Sequence, residues 1–153
     1  MKTPASAPTE RKRNVERVAE VRETLKILMS GLRLDDKNLI TEYHKEVEKG
    51  SKVQIASDYD NKTVNRIVMG VDDAGLCTRT TKYLRGILDG KPIVTFSWFF
   101  DSLSQKRWLS PSDYLVKGDT SIGKGTDAVR SSLERSPGTK LFDEFTFYLA
   151  GRF

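Results

Sequence analysis

The stretch 79-RTTKYLRGILDGKPIVTFSW-98 contains the pattern from which the fold is predicted. It predicts a short helix, a turn at Asp89-Gly90, the buried strand PIVTF and the start of another helix. Two cations, Arg79 and Lys82, stand where the first of these helices begins. The amino end of a helix carries a partial positive charge, so cations are unfavourable there unless an anion joins them. The pattern therefore predicts that something negative binds at this helix end.

Strands and helices alternate along the rest of the chain. LKILMSGL predicts a first strand that ends at Ser30-Gly31. A helix follows, which Asp35 or Asp36 is expected to cap and Gly50 to close. KVQIAS and TVNRIVMG predict two further strands, separated by the polar turn DYDNK. The apolar residues expected to face the core are Leu39, Ile40, Tyr43 and Val47 in the first helix, Tyr83, Leu84, Ile87 and Leu88 in the second, and Trp98, Phe99, Leu103 and Trp108 in the third.

The predicted order is strand, helix, strand, strand, helix, strand, helix, with Ser97 as the expected cap of the third helix. Strands that alternate with helices indicate a mainly parallel sheet covered on both faces. The fold class predicted from the pattern is therefore α/β.

Composition divides the chain into four parts. Residues 1–24 are predicted to be a disordered basic tail, and residues 25–119 hold the alternating strands and helices. Residues 120–140 are rich in Gly, Ser and Thr, which is typical of a linker. Residues 141–153 are again apolar and predict one more strand.

Charge and cysteine content limit the classes of function. The net charge is +5, and it is thinly spread: residues 1–24 carry 6 basic and 4 acidic groups, residues 25–116 carry 14 and 12, and residues 117–153 carry 6 and 5. A nucleic-acid-binding face usually concentrates its charge, so DNA binding is not favoured. Cys77 is the single cysteine, which excludes an internal disulfide and a cysteine-based zinc site. No membrane segment or cofactor is expected.

The sequence contains no recognisable catalytic motif. It has no nucleophile triad, no GxxxxGK[ST] loop and no GxGxxG after a strand. IGKGTD is glycine-rich but follows no predicted strand. His44, the only histidine, has no visible catalytic partner. We therefore expect no enzymatic activity from this chain.

The sequence also indicates where the anion predicted at this helix start would bind. Ser30-Gly31 ends the first strand, and the helix that begins near Lys82 follows the third strand. Both points lie at the carboxyl edge of a parallel sheet, where ligands collect. A hydroxyl, an unobstructed amide and an ammonium group together suit a phosphate. The alternative is that Gly31 only makes a turn, Ser30 is a small buried residue and Lys82 is solvated.

The same segments resemble a known family. MSGL, NRIVM and DDAGLCTRTTKYLRGILDGKPIV are similar to the BRCT domain, a repeat named after the C-terminus of the breast-cancer type 1 susceptibility protein. FSWFFDSL carries the Trp98 that marks the third helix of this family, and DYLVKGD follows. KLFDEFTFYLAGRF resembles the linker end and first strand of a second repeat. The resemblance runs from about Leu25 to Phe153.

The resemblance implies a BRCT fold, a four-stranded parallel sheet flanked by three helices, two on one face and one on the other. It implies a nuclear, non-catalytic adaptor, because tandem BRCT repeats bind phosphoserine peptides in DNA-damage signalling. The implied partners are phosphoserine-containing repair or checkpoint proteins. The implied phosphate-binding residues are Ser30, Gly31, Lys82 and Thr80, and the implied peptide-binding residues are Arg79, Tyr83 and Leu84.

Two alternatives to phosphopeptide binding stay open at this stage. In the family, an aromatic residue three places after the phosphoserine binds in a groove between two repeats. Tyr83 and Leu84 would supply only the first repeat's wall of that groove. The alternatives are a phosphate-independent scaffold that uses the apolar final strand, and a weak binder of DNA or nucleosomes.

Overall fold

The computed structural model describes residues 24–125, 127–135 and 144–152 of the 153-residue chain. The predicted basic tail, apart from Thr24, lies outside the described residues.

The first seven elements follow the predicted order. The strands and helices of the main unit are β1 (Leu25–Ser30), α1 (Leu34–Tyr43), β2 (Val53–Ala56), β3 (Arg66–Met69), α2 (Thr81–Leu88), β4 (Ile93–Thr95) and α3 (Phe96–Ser104). After a 3₁₀ turn at Ser112–Tyr114 come β5 (Gly118–Asp119), β6 (Gly123–Lys124) and α4 (Ala128–Glu134).

The four main strands form one parallel sheet in the order β2-β1-β3-β4. β1 lies in the middle and pairs with both β2 and β3. The carboxyl ends of β1 and β3 are therefore neighbours, since Ser30 is in register with Met69. The predicted four-stranded parallel sheet is confirmed.

Alternation along the strands divides the core between the two faces of the sheet. Successive side chains of a strand point to opposite faces. Leu28, Ile67 and Ile93 pack in one buried cluster with Tyr83 of α2 and Val129 of α4. The second cluster contains Ile27, Val68 and Val94 of the strands, Ile40 of α1, and Trp98 and Phe99 of α3. Two helices thus cover one face and α2 covers the other, as the resemblance implied, with α4 beside α2.

The prediction for α1 was wrong at both ends. Arg33 is the N-cap residue, and Asp35 and Asp36 lie inside the first turn, where a negative charge favours the helix dipole. The helix ends at Tyr43 rather than near Gly50. The ring nitrogen Nδ1 of His44 lies 2.9 Å from the carbonyl oxygen of Thr41, within the last turn. A histidine side chain that forms a hydrogen bond with a carbonyl of the last turn stabilises the helix end at that point.

Three further expectations are corrected in α2 and α3. Ser97 is the second residue of α3 rather than its cap, since Thr95 is the N-cap residue. Leu84 and Leu88 are 45% and 51% exposed and do not face the core. Gly86 is instead the buried residue that faces the sheet. A Cβ atom there would lie 2.5 Å from Cδ1 of Ile67. Only a glycine lets α2 lie this close to the sheet.

The segment predicted to be a linker contains structure that the sequence pattern did not predict. β5 and β6 form an antiparallel hairpin, and α4 follows it. Val129 and Ser132 of α4 are buried, and the Ser132 hydroxyl donates a hydrogen bond to the carbonyl of Ile87 at the end of α2. Residues 144–152 pair with no strand among the described residues, so a strand over 141–153 stays a prediction.

Two features are absent from the described residues. None of the helices in the described ranges has the length and apolar character needed to cross a membrane. The same ranges hold no group of three or more His, Cys, Asp or Glu side chains arranged to bind a metal ion.

Candidate anion-binding site

The end of β1 and the start of α2 meet at the carboxyl edge of the sheet. Ser30 is the last residue of β1 and is 6% exposed. Gly31 follows with a φ of +63°, a left-handed conformation that suits glycine, and is exposed. Thr80 is the N-cap residue of α2, and its hydroxyl oxygen lies 2.9 Å from that of Ser30. The structure thus brings together two groups that lie fifty residues apart in the sequence.

The two hydroxyls belong to a chain of hydrogen bonds, in which either hydroxyl can be the donor to the other. The backbone N–H of Tyr83 donates to the Thr80 hydroxyl oxygen at 3.2 Å. With that oxygen acting as an acceptor, the Thr80 hydroxyl proton is available to Ser30. The Ser30 hydroxyl can then donate its own proton outward. Hydrogen bonds in such a chain polarise one another, which makes Ser30 a better donor to an anion.

Lys82 supplies positive charge to the same place. Its Nζ lies 3.5 Å from the carbonyl oxygen of Met29, a long hydrogen bond that directs the ammonium group toward the end of β1. An ammonium group carries three donors, so two are left for a ligand. The three groups predicted from the sequence, at Ser30, Gly31 and Lys82, therefore lie at one edge, and Thr80 joins them.

Gly70 is a supporting residue that the sequence analysis missed. Its N–H donates to the carbonyl oxygen of Ser30 at 3.2 Å. A Cβ atom at Gly70 would lie 2.1 Å from the carbonyl oxygen of Gly31, well inside contact distance. Gly70 therefore sets the path of the chain at Ser30 and Gly31. Its position directly after β3 was the available signal, since Gly after a strand often marks a close backbone approach.

Arg79 is held by a carboxylate from the hairpin. Its Nε and Nη2 donate to the two carboxylate oxygens of Asp119 at 3.1 and 3.0 Å. Asp119 is 4% exposed and also accepts from the N–H of Ser121. Two of the guanidinium N–H donors are thereby used within the fold. Asp119 was not among the residues predicted from the sequence, because nothing local links it to Arg79 forty positions earlier.

The environment of Asp119 has opposing effects on its acidity. Burial alone raises the pKa of this carboxyl. The hydrogen bonds and charge of Arg79, together with the N–H of Ser121, outweigh burial, so its pKa lies below the usual value. Asp119 is therefore a stable anion that ties the hairpin to the start of α2.

Asp119→Asn is expected to lower the free energy of unfolding at pH 7 by about 1–2 kcal/mol. The loss is moderate because the Arg79 side chain is 32% exposed, and water weakens the ion pair. A lowered pKa stabilises the fold above the carboxyl's unfolded value of about 4, and this contribution disappears as pH falls through the folded value. Urea unfolding at pH 7, 5, 4 and 3 measures both effects.

The stability difference between wild type and Asp119→Asn should be largest at pH 7 and shrink below about pH 4. Asp73→Asn, a change at an exposed carboxylate, is the matched control and should leave the unfolding curves nearly unchanged. A constant difference between wild type and Asp119→Asn across the whole pH range would contradict the assigned role of the ion pair.

Tyr83 and Leu84 have different environments. Tyr83 is 1% exposed and belongs to the core cluster under α2, so its side chain is not on the surface that a peptide would contact. Burial is the main cause that raises the pKa of Tyr83 to about 12. Leu84 is 45% exposed. Of the two residues predicted to form a peptide-binding wall, only Leu84 is available on the surface.

Comparison with known proteins identifies a family and several related proteins. Residues 25–103 match the family described as the BRCA1 C Terminus (BRCT) domain. The chain is 31% identical over 126 residues to the Arabidopsis thaliana protein named Protein BREAST CANCER SUSCEPTIBILITY 1 homolog, which covers 81% of this chain and 13% of that protein. It is 33% identical over 100 residues to BRCA1-associated RING domain protein 1 of Arabidopsis thaliana, with coverage of 63% and 14%.

The chain thus spans only 13–14% of the length of these two relatives. Among solved structures, it is similar to a crystal structure of Rad4 BRCT1,2 in complex with a Crb2 phosphopeptide. That similarity has a TM-score of 0.49 and 14% identity, and it covers 61% of this chain and 46% of the other.

Proposed function

Because this chain belongs to the BRCT family, we propose that it is a non-catalytic adaptor that binds phosphoserine peptides through Ser30, Gly31, Thr80 and Lys82. The observation that carries the proposal is the 2.9 Å contact between the Ser30 and Thr80 hydroxyls, with the Lys82 ammonium group directed to the end of the same strand. At one edge of the sheet, these groups provide hydroxyl, amide and charged hydrogen-bond donors for a phosphate.

Each group has a separate role in the proposal. The Ser30 hydroxyl and the exposed Gly31 N–H donate to phosphate oxygens, and Lys82 adds a charge-assisted hydrogen bond. Thr80 can donate its hydroxyl proton to Ser30, which leaves the Ser30 proton for the phosphate. The start of α2 adds its partial positive charge, which favours an anion. Asp119 already compensates Arg79, and the ligand compensates Lys82, the other cation at this helix end.

Arg79 keeps a role in peptide binding with altered detail. Asp119 occupies its Nε and one Nη2 donor, so the contact with the peptide main chain uses the remaining guanidinium N–H groups or the backbone of Arg79. Leu84 supplies exposed apolar surface near the start of α2. Tyr83 contributes through the position of α2 and not through a contact with the peptide.

The proposed partners are phosphoserine-containing repair or checkpoint proteins in the nucleus. The names of the curated relatives, a BREAST CANCER SUSCEPTIBILITY 1 homolog and a BRCA1-associated RING domain protein, support this class of partner. Phosphorylation of a partner serine adds the nearly doubly negative phosphate that the positively charged site binds. The activity of the kinase that modifies the partner would therefore control binding.

The test compares one fluorescent phosphoserine peptide with its unphosphorylated form by anisotropy. The peptide is taken from a phosphopeptide-library selection on the wild-type chain. We expect the phosphorylated form to bind and the serine form to bind at least about tenfold more weakly. Equal affinity would instead favour a phosphate-independent scaffold. The nucleic-acid alternative would be favoured if a DNA duplex bound with the same affinity as the phosphopeptide and if that affinity fell steeply with added salt.

A further inference from the structure

A second group of cations surrounds a cleft that the proposed phosphate site does not use. The cleft has a volume of about 440 Å³ and lies between the 3₁₀ turn, the β5–β6 hairpin and α4. Lys117, Lys124 and Arg130 reach it from three different segments, together with the carboxylates Asp113 and Asp127. All five of these side chains are exposed.

The charges of the cleft are not consumed by one another. Within the described residues, the salt bridges are Arg33–Asp36 and Arg79–Asp119, and none joins a cation of the cleft to a carboxylate. Three cations and two carboxylates leave an excess of one positive charge. Like charges that line one cleft repel one another, and an anion between them relieves that repulsion. The cleft is therefore suited to a single anionic group.

The hairpin connects this cleft with the proposed phosphate site. Lys117 precedes β5 and Lys124 ends β6, which pairs with β5. The same hairpin carries Asp119, whose carboxylate binds Arg79 beside the start of α2. An extended ligand at the start of α2 has this hairpin as a neighbour.

We propose that the cleft of Lys117, Lys124 and Arg130 binds a second anionic side chain, phosphoserine or acidic, of the same phosphopeptide. This inference rests on the proposed function. A nucleic acid fits less well, because Asp113 and Asp127 would repel a continuous line of phosphates and the excess of charge is small. The volume of the cleft accommodates one phosphorylated side chain.

The first experiment examines the cleft without any peptide. Inorganic phosphate is titrated into ¹⁵N-labelled chain, with sodium chloride at matched ionic strength as a reference. We expect the amide resonances of Lys124 and Gly125 to shift and to saturate in wild type. The amide resonances at positions 124 and 125 should not shift in the double variant Lys124→Glu, Arg130→Glu. Absence of shifts in wild type, or equal shifts in the variant, would overturn the inference.

The second experiment uses a degenerate peptide library built around one fixed position, made once with phosphoserine and once with serine at that position. Phosphoserine and glutamate are allowed at the other positions. Wild type should enrich a second anionic residue at a fixed separation, by about tenfold. The double variant should keep the central phosphoserine and lose this enrichment. Lys45→Glu with Lys49→Glu makes the same charge change at two exposed lysines after α1, and this control should behave as wild type.

The outcomes of the library experiment separate the two proposals. If wild type retains phosphoserine peptides without a second anionic preference, the inference about the cleft fails and the proposed function stands. If the double variant keeps the preference, the inference also fails. If wild type does not discriminate phosphoserine from serine at the fixed position, the proposed function fails, and the phosphate titration alone decides whether the cleft binds anions.

Discussion

Lys82→Ala is expected to lower the affinity for the selected phosphoserine peptide by about 10- to 150-fold, equivalent to about 1.5–3 kcal/mol. The substitution removes the only charge-assisted donor that the proposed site directs to the phosphate. The Lys82 side chain is half-buried against the carbonyl of Met29, so its ammonium group is partly shielded from water. Fluorescence anisotropy at fixed salt concentration measures the change.

The stability of Lys82→Ala should differ little from wild type, since its one hydrogen bond is long at 3.5 Å. Lys37→Ala, at an exposed lysine of α1 on the other side of the sheet, is the matched control and should retain wild-type affinity. The serine form of the peptide should bind the variant and wild type equally. An equal loss of affinity for both peptide forms would show that Lys82 does not contact the phosphate.

Gly70→Ala is expected to abolish phosphopeptide binding at peptide concentrations that saturate wild type, although Gly70 itself contacts no ligand. The added Cβ would lie 2.1 Å from the carbonyl oxygen and 2.9 Å from the carbonyl carbon of Gly31. Both are backbone atoms, so the loop itself must move, and such overpacking costs about 1–3 kcal/mol of stability. The movement displaces the Gly31 N–H and the Ser30 hydroxyl from the phosphate.

Gly50→Ala is the control for the loss of a glycine. Gly50 has a φ of +84°, and a Cβ there meets nothing within 4 Å. This variant bears the strain of a left-handed alanine without a collision, so it should lose stability and keep peptide affinity. Circular dichroism and urea unfolding establish that each variant is folded before anisotropy is measured. Unchanged peptide affinity in Gly70→Ala would show that the position of Gly31 is unimportant for binding.

Local pattern was sufficient to predict the architecture and part of the site. The alternation of strands and helices indicated a parallel sheet, and the sheet has the predicted strands in one parallel arrangement. Cations at a helix start pointed to an anion. The carboxyl-edge rule placed Ser30 and Lys82 at one edge, and the hydrogen bond from Lys82 to the carbonyl of Met29 agrees with that placement. These features depend on the periodicity of apolar residues and on helix electrostatics. Both are set by residues that lie close together in the sequence, so both can be predicted from it.

Element boundaries and surface assignments were less predictable. The N-cap at Arg33 and the exposure of Leu84 both depend on what the neighbouring elements cover. An apolar residue on a helix is buried only where another element packs over it. The sequence pattern indicates which side chains are apolar, and it does not indicate how far the cover extends.

The sequence by itself determined the α/β sheet and the identity of the charged and hydroxyl groups near Thr80, because both follow from the periodicity and chemistry of adjacent residues. Tertiary structure alone decided which distant groups support that site. Asp119 meets Arg79, and Gly70 fits under Gly31, only because the hairpin and the loop after β3 follow particular paths. Those paths result from the packing of the whole domain, since each contact joins segments that no local pattern relates.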